Sequence, residues 1–206
     1  MTTREILAVL QGEIHTTVFA TVDDDGLPQT CVIDLMLADE NGLYFLTAKG
    51  KSFYRRLMAR PFVAISGMKG EDTLSSVAIS VRGRVRCIGK ARLDEIFEKN
   101  PYMAKIYPTP ESREALVVFH LHQGEGEDFD LSRLPPFRQR FSLGGEALQE
   151  HVYRIASGKC IGCTGCLSVC PTGCISSATP RAIDASHCLH CGNCLSACPA
   201  HAVERT

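Results

Sequence analysis

The chain has 206 residues, with 22 Lys and Arg against 23 Asp and Glu and a formal net charge of −1, a balance that gives neither nucleic acid nor an anionic membrane an electrostatic reason to bind. At 45% hydrophobic and 22% charged it has the composition of an ordinary globular protein, and no apolar run approaches the ~18 residues that a bilayer span needs. Nine of the eleven cysteines fall in the last fifty residues and no secretory leader is visible at the start, so two domains in a reducing, cytoplasmic setting are expected.

Thr2 followed three residues later by Glu5 reads as a capping box for a short helix through Ile6, Leu7, Val9 and Leu10, ending near Gly12. From Ile14 β-branched residues take over in IHTTVFATV. The DDDGLP turn (23–28) reverses the chain into TCVIDLMLA, and DENG (39–42) makes a second hairpin into LYFLTA. Ser52 is positioned to cap a helix that must stop before Pro61. FVAISGM (62–68) is a fourth strand. The fifth sets Val77, Ile79, Val81, Val85 and Cys87 on one face against Ser80, Arg82, Arg84 and Arg86, with Gly83 at a bend. Residues 92–107 read as helix broken at Pro101, and ALVVFHL (115–121) supplies a sixth strand to close an antiparallel barrel. Arg82, Arg84 and Arg86 read as a solvated face. His120 and His122 read as surface histidines, with a proton-donor pair as the alternative, and Cys31 and Cys87 as buried strand thiols. Residues 123–158 show neither period and read as a connector arm, most pliable at Gly144 and Gly145; Phe129, Phe137 and Phe141 argue that it packs along the barrel.

The tail carries CIGCTGCLSVCP (160–171) and CLHCGNCLSACP (188–199), two cysteine quartets of identical spacing 28 residues apart. The C-x₂-C-x₂-C-x₃-C-P run is the bacterial ferredoxin arrangement of two [4Fe–4S] clusters, in which the fourth Cys of each run ligates the other cluster. Three thiolates on one tight loop wrap three corners of a cube, and the fourth corner lies too far round for that loop. One cluster is therefore expected on Cys160, Cys163, Cys166 and Cys198, the second on Cys188, Cys191, Cys194 and Cys170, with Pro171 and Pro199 turning the chain away after each fourth ligand. The same shift pairs Leu167 with Leu195, Ser168 with Ser196 and Ile175 with Val203, as in an internal repeat. It sets Cys174 against Ala202, which marks Cys174 as a small buried hydrophobe outside the ligand sets, and His190 is not needed as a ligand. Disulfides would suit a secreted domain. Paired zinc ligands would leave the third and fourth Cys of each run without a role.

The strand order and the run LYFLTAKGKSFYRRLMARPFVAIS (43–66) resemble the pyridoxamine 5′-phosphate oxidase-like split β-barrel flavoproteins, over about residues 5–140. In that family a strand ends in Thr, a basic Gly- and Ser-containing turn follows, and a helix leads to N-P or R-P and the next strand. The resemblance implies a homodimer with FMN at the subunit interface. Carried over residue by residue, it gives Thr47, Lys49, Lys51 and Ser52 to the phosphate and ribityl chain, and the backbones of Val32, Ile33 and Asp34 to the flavin ring. A phosphate wants ammonium groups and free N–H donors at a helix start, and the turn before the 52–59 helix offers both. The Ser-Arg-Lys of many members reads Gly50-Lys51-Ser52 here, and no vitamin B6 substrate residues are recognisable.

The expected fold is mostly β with α+β elements: a six-stranded antiparallel split β-barrel (1–122), the connector (123–158) and a small 2[4Fe–4S] ferredoxin-like α+β domain (159–206). A flavin converts between single electrons and hydride-like pairs, whereas a cube moves one at a time. The combination implies an FMN-dependent oxidoreductase in which an external electron carrier, two [4Fe–4S] clusters and FMN exchange electrons with a small-molecule acceptor, with no nucleic-acid or membrane partner. The alternatives are an electron-transfer or redox-sensing module without its own substrate, and a barrel holding a deazaflavin or haem.

Overall fold

The capping box at Thr2 forms: its hydroxyl accepts the Glu5 N–H at 3.3 Å while the Glu5 carboxylate accepts the Thr2 N–H at 2.7 Å, and α1 (Thr3–Val9) begins there. The computed structural model describes residues 1–148 and 152–205. They divide into one unit of Met1–Lys69, Ala78–Asp128 and Arg140–Ala147, and another of Gly70–Val77, Phe129–Gln139 and Leu148–Thr206.

The predicted meander is present as β1 (Thr16–Val22), β2 (Pro28–Asp39) and β3 (Gly42–Ala48), followed by α2 (Ser52–Ala59), β4 (Phe62–Lys69), β5 (Val77–Gly89), β6 (Leu116–Asp130) and β7 (Phe137–Leu143). The sheet runs β3-β2-β1-β4-β5-β6-β7, and β3 also pairs with β6 from Leu43↔Leu121 to Ala48↔Leu116. That last pairing closes six strands into an antiparallel barrel. Phe19, Phe45 and Phe119 pack with Phe53 of α2, the Phe19 and Phe45 rings 4.7 Å apart and the Phe45 and Phe119 rings 5.7 Å apart. The helical stretch is interrupted at Pro101 as expected, giving α3 (Leu93–Lys99) and α4 (Met103–Ile106). Leu93, Ile96 and Met103 cover Met36, Tyr44, Leu46 and Val118 in a second apolar cluster. Among the described residues no helix is long and apolar enough to cross a membrane.

Four expectations change. Residues 123–130 complete β6 and 137–143 form β7, so much of the segment read as a connector is sheet; residues 149–151 of it lie outside the described residues. Apolar alternation is missing there because close-packed glycine and ion pairs take the place of apolar side chains. A Cβ on Gly124 would meet the Arg82 carbonyl oxygen at 2.2 Å, and Glu125 is held by Arg82 and, at 2.7 Å, by Arg140. Ser52 is the first helical residue and makes no capping bond, because Lys51 occupies the cap position. His120 is buried, not superficial: the β3–β6 register sets it opposite Tyr44, whose ring it stacks on at 4.3 Å, and its Nε2 lies 2.9 Å from the Asn41 carbonyl. Cys87 is exposed, since the covered face of β5 ends at Val85, and Cys31 in β2 is only half-buried. Arg82, Arg84 and Arg86 do line the exposed face of β5.

In the second unit β8 (Tyr153–Ile155) pairs with β9 (Val203–Arg205). The Ile155↔Val203 pair has a 28-residue counterpart in the Ile175↔Ile183 bridge, and α5 (Gly165–Ser168) has one in α6 (Asn193–Ser196). Gly162 (φ 73) and Gly173 (φ 65) have His190 (φ 55) and His201 (φ 48) as counterparts, so the repeat imposes a left-handed backbone on two histidines.

Candidate cluster and cofactor sites

The cysteine loops deliver their thiols to two separate cavities. Cys160, Cys163, Cys166 and Cys198 line one; Cys170, Cys188, Cys191 and Cys194 line the other. The fourth thiol of each run thus sits with the first three of the other, as the spacing implies. Cys166 lies in α5 and Cys194 in α6, so each helical turn lifts a third thiol out of its loop. Among the described residues no three Cys, His, Asp or Glu side chains converge on a single ion. Four ligand thiols line each space and no three of them close on one ion, which fits a cube better than zinc.

Backbone N–H groups favour the thiolate at several of these positions. Those of Arg181 and Gly162 hold Cys160 below the usual thiol range, and that of Ala202, 3.3 Å from Cys198 Sγ, does the same for Cys198. Burial pushes Cys166 and Cys194 up. Cys174 lines the second cavity and is not merely a core filler: its Sγ is 3.5 Å from Cys170 Sγ, and burial raises it to about 12. His190 donates its backbone N–H to Cys188 Sγ at 3.4 Å, while its ring Nδ1 lies 3.0 Å from Arg138 Nη1.

On the barrel, the residues expected to meet a phosphate cluster at the β3–α2 turn. Thr47 is 2% exposed, and its Oγ1 has no hydrogen-bond partner among the described residues, an unsatisfied buried group of the kind that a bound partner relieves. Lys49 and Lys51 are exposed and pair with no carboxylate among the described residues. No side chain caps α2, which leaves its first N–H groups to solvent or an anion. The Lys51 ammonium and the Arg56 guanidinium both act on the Cys31 thiol of β2, against the upward push of its burial. The turn and the middle of β2 therefore share one electrostatic neighbourhood. Arg56, which sequence reasoning passed over, adds a third cation and is fixed by its Nε donating to Thr21 Oγ1 at 2.8 Å.

Val32, Ile33 and Asp34 lie where β2 pairs with β1, opposite Val18, Thr17 and Thr16. Pairing with β3 begins only at Leu35, so this half of β2 is paired on one edge. Val32 is 65% exposed. Asp34 joins a network absent from the sequence reading: its carboxylate accepts from Thr16 Oγ1 at 2.7 Å and from the Tyr102 hydroxyl at 2.9 Å, and His15 Nε2 lies 2.9 Å from that hydroxyl. Burial and the Asp34 contact push the Tyr102 phenol well above its ordinary value. A residue 68 positions away leaves no local pattern that would have flagged it.

A family model described as pyridoxamine 5′-phosphate oxidase matches residues 2–128, and a 4Fe–4S dicluster domain model matches residues 159–202. The pyridoxine/pyridoxamine 5′-phosphate oxidase of Mannheimia succiniciproducens is 31% identical over 98 residues, 48% of this chain and 45% of that protein. That of Ectopseudomonas mendocina is 30% identical over 106 residues, 50% and 48% respectively. The matched segment thus spans about half the length of these curated relatives. Among solved structures, a NimC/NimA family protein from Clostridium acetobutylicum has a TM-score of 0.57 at 20% identity, over 68% of this chain and 92% of that one, a likeness of fold.

Proposed function

The chain belongs to the pyridoxamine 5′-phosphate oxidase family, and from that premise we propose that it is an oxidoreductase whose barrel holds FMN and whose 4Fe–4S dicluster domain exchanges single electrons with it, on behalf of a small acceptor. The observation that carries this reading is the pair of cysteine-lined cavities in a chain whose barrel matches the pyridoxamine 5′-phosphate oxidase model. When bound, FMN would supply conversion between one-electron and hydride-like transfer, and the clusters one-electron steps.

The chain's own residues have distinct tasks in this scheme. Lys49, Lys51 and Arg56, with the uncapped start of α2, neutralise a phosphate, and the Thr47 hydroxyl donates to it. The open edge of Val32, Ile33 and Asp34 offers backbone groups to a planar ring. The Asp34–Tyr102–His15 network holds that strand segment in place. Val18, Val32, Phe62 and Met68, on the outward side of β1, β2 and β4, are exposed apolar residues. Such a face favours association of two copies, and a homodimer with the flavin at the interface is part of the proposal.

The test is an anaerobic preparation of the full chain, reconstituted with iron, sulfide and FMN, with each counted per chain. The reading expects about eight irons and one FMN, bleaching of the flavin band by a low-potential donor, and turnover of at least one member of a panel of quinones, nitro compounds and free flavins. Failure to retain FMN, or uptake of haem or a deazaflavin in its place, would refute the FMN assignment. A fully loaded protein that reduces nothing in the panel would leave an electron carrier.

A further inference from the structure

One buried charge breaks the symmetry of the repeat that builds the two cluster cavities. Arg181 is 7% exposed. Its guanidinium is satisfied entirely by backbone carbonyls: Nε donates to Cys163 at 2.7 Å, Nη2 to Gly162 at 2.9 Å, and Nη1 to Ser177 at 2.8 Å and Ser176 at 3.3 Å. Among the described residues it pairs with no carboxylate. Carbonyl dipoles replace its hydration without cancelling its charge, and that charge lies in the wall of the cavity lined by Cys160, Cys163, Cys166 and Cys198.

Its 28-residue counterpart is Tyr153, a neutral ring in the wall of the other cavity. On that side the Arg138 guanidinium contacts the His190 ring at 3.0 Å, and Arg138 lines neither cavity. Equivalent places beside the two cavities therefore carry a cation in one case and a phenol in the other.

We propose, resting on the reading of these cavities as [4Fe–4S] sites, that Arg181 is a positioning residue for electrons: it raises the reduction potential of the cluster on Cys160, Cys163, Cys166 and Cys198 above that of its neighbour. Reduction adds one electron, and hence one negative charge, to a cube without making or breaking a bond in the protein. A nearby uncancelled cation favours the more negative state. The first electron from a low-potential one-electron carrier then rests on the Arg181 cluster, and the second fills the other.

The experiment uses the full-length chain, reconstituted anaerobically, with iron and sulfide counted before a reductive titration followed by EPR. The wild type gives two one-electron steps. Arg181→Gln lowers the upper step by about 59 mV or more, a tenfold change in electron partition, and leaves the lower step in place. Arg181→Lys keeps the charge and keeps the upper step. Either variant decides if it alone loads fully. An upper step unmoved in Arg181→Gln, or a fallen one in Arg181→Lys, with about eight irons retained, overturns the proposal while leaving the cluster reading intact. A wild-type chain that takes up no iron removes the cluster reading itself.

Discussion

Crossed ligation makes a prediction in whole clusters. In the arrangement of the cavities, Cys198 belongs with Cys160 and Cys170 belongs with Cys188. An uncrossed arrangement would put Cys170 with Cys160 instead. Pairs of cysteine substitutions separate the two without resolving either cluster. Cys160→Ala with Cys198→Ala removes two ligands from one cube and none from the other, and the expected content falls from about eight irons to about four. Cys160→Ala with Cys170→Ala strikes both cubes, and the content falls toward zero. Uncrossed ligation reverses the two outcomes. Cys174 must be controlled, because its Sγ is 3.5 Å from that of Cys170 and it lines the same cavity. A neighbouring thiol of that kind can substitute for a missing ligand, so all variants are made in a Cys174→Ala background. Iron and acid-labile sulfide are measured per chain after anaerobic reconstitution, with circular dichroism as a check that the barrel is folded. About four irons in the Cys160/Cys170 pair together with almost none in the Cys160/Cys198 pair would refute the crossed assignment.

Other expectations concern the barrel. Lys51→Ala should weaken FMN retention about 10- to 100-fold, the loss of one charge-assisted contact, with iron content unchanged; an equal dissociation constant by flavin fluorescence would mean that another turn holds the phosphate. Phe19 is fully buried between Phe45 and Phe53, so Phe19→Ala should cost about 3–5 kcal/mol in chemical denaturation, and a loss below about 1 kcal/mol would show that the site collapses or was never packed. Arg92 pairs with Asp39 at 2.5 Å and Glu95 at 2.8 Å and lies over the Tyr44 ring at 4.1 Å. Its hydrogen bond pulls Glu95 down to about 2, and at Asp39 burial pushes the carboxyl up but is overcome by the Arg92 contact together with the Asn41 N–H and the Tyr44 hydroxyl, which leave it below its ordinary value. Depressed carboxyls add stability above their unfolded values, and that stability is lost as the pH falls through the folded ones. Arg92→Ala should therefore cost about 1–2 kcal/mol near pH 7, and the difference from wild type should shrink between about pH 4.5 and 2; a difference that persists at pH 2 would assign it to packing.

The barrel strands were legible wherever burial falls on alternate residues, as in β1, where Thr17, Phe19 and Thr21 face in while Thr16, Val18 and Val22 face out. The turns were legible from Asp, Asn and Gly. The second half of β6 was not, because Gly124 packs against backbone where a side chain would otherwise sit, and Glu125 is matched to arginines from β5 and β7. Neither leaves a hydrophobic period to read. His120 illustrates the same limit for a single residue: a histidine in an apolar strand looks alike in sequence whether it meets water or, as here, the face of Tyr44. Burial of that kind depends on a pairing partner 76 positions away, here through the Tyr44↔His120 register.

The grouping of the thiols into two cavities was legible because eight residues had to agree at once, and a repeat carries more information than a motif. The repeat also predicts geometry from one half to the other, and its exceptions then become the informative positions. Gly162 and Gly173 satisfy a left-handed backbone that His190 and His201 must adopt at some cost, and His190 places its ring against Arg138 and its backbone N–H on Cys188. Ala202 is replaced by Cys174, which adds a ninth thiol to one cavity wall and none to the other. Tyr153 is replaced by Arg181. If two identical cubes were all that selection required, a symmetric scaffold would suffice and these substitutions would be costs without return: strained backbone, a buried thiol and a buried cation. Their concentration at the cavity walls, where the helical turns α5 and α6 and the paired strands keep the symmetry, argues that the two clusters are required to differ.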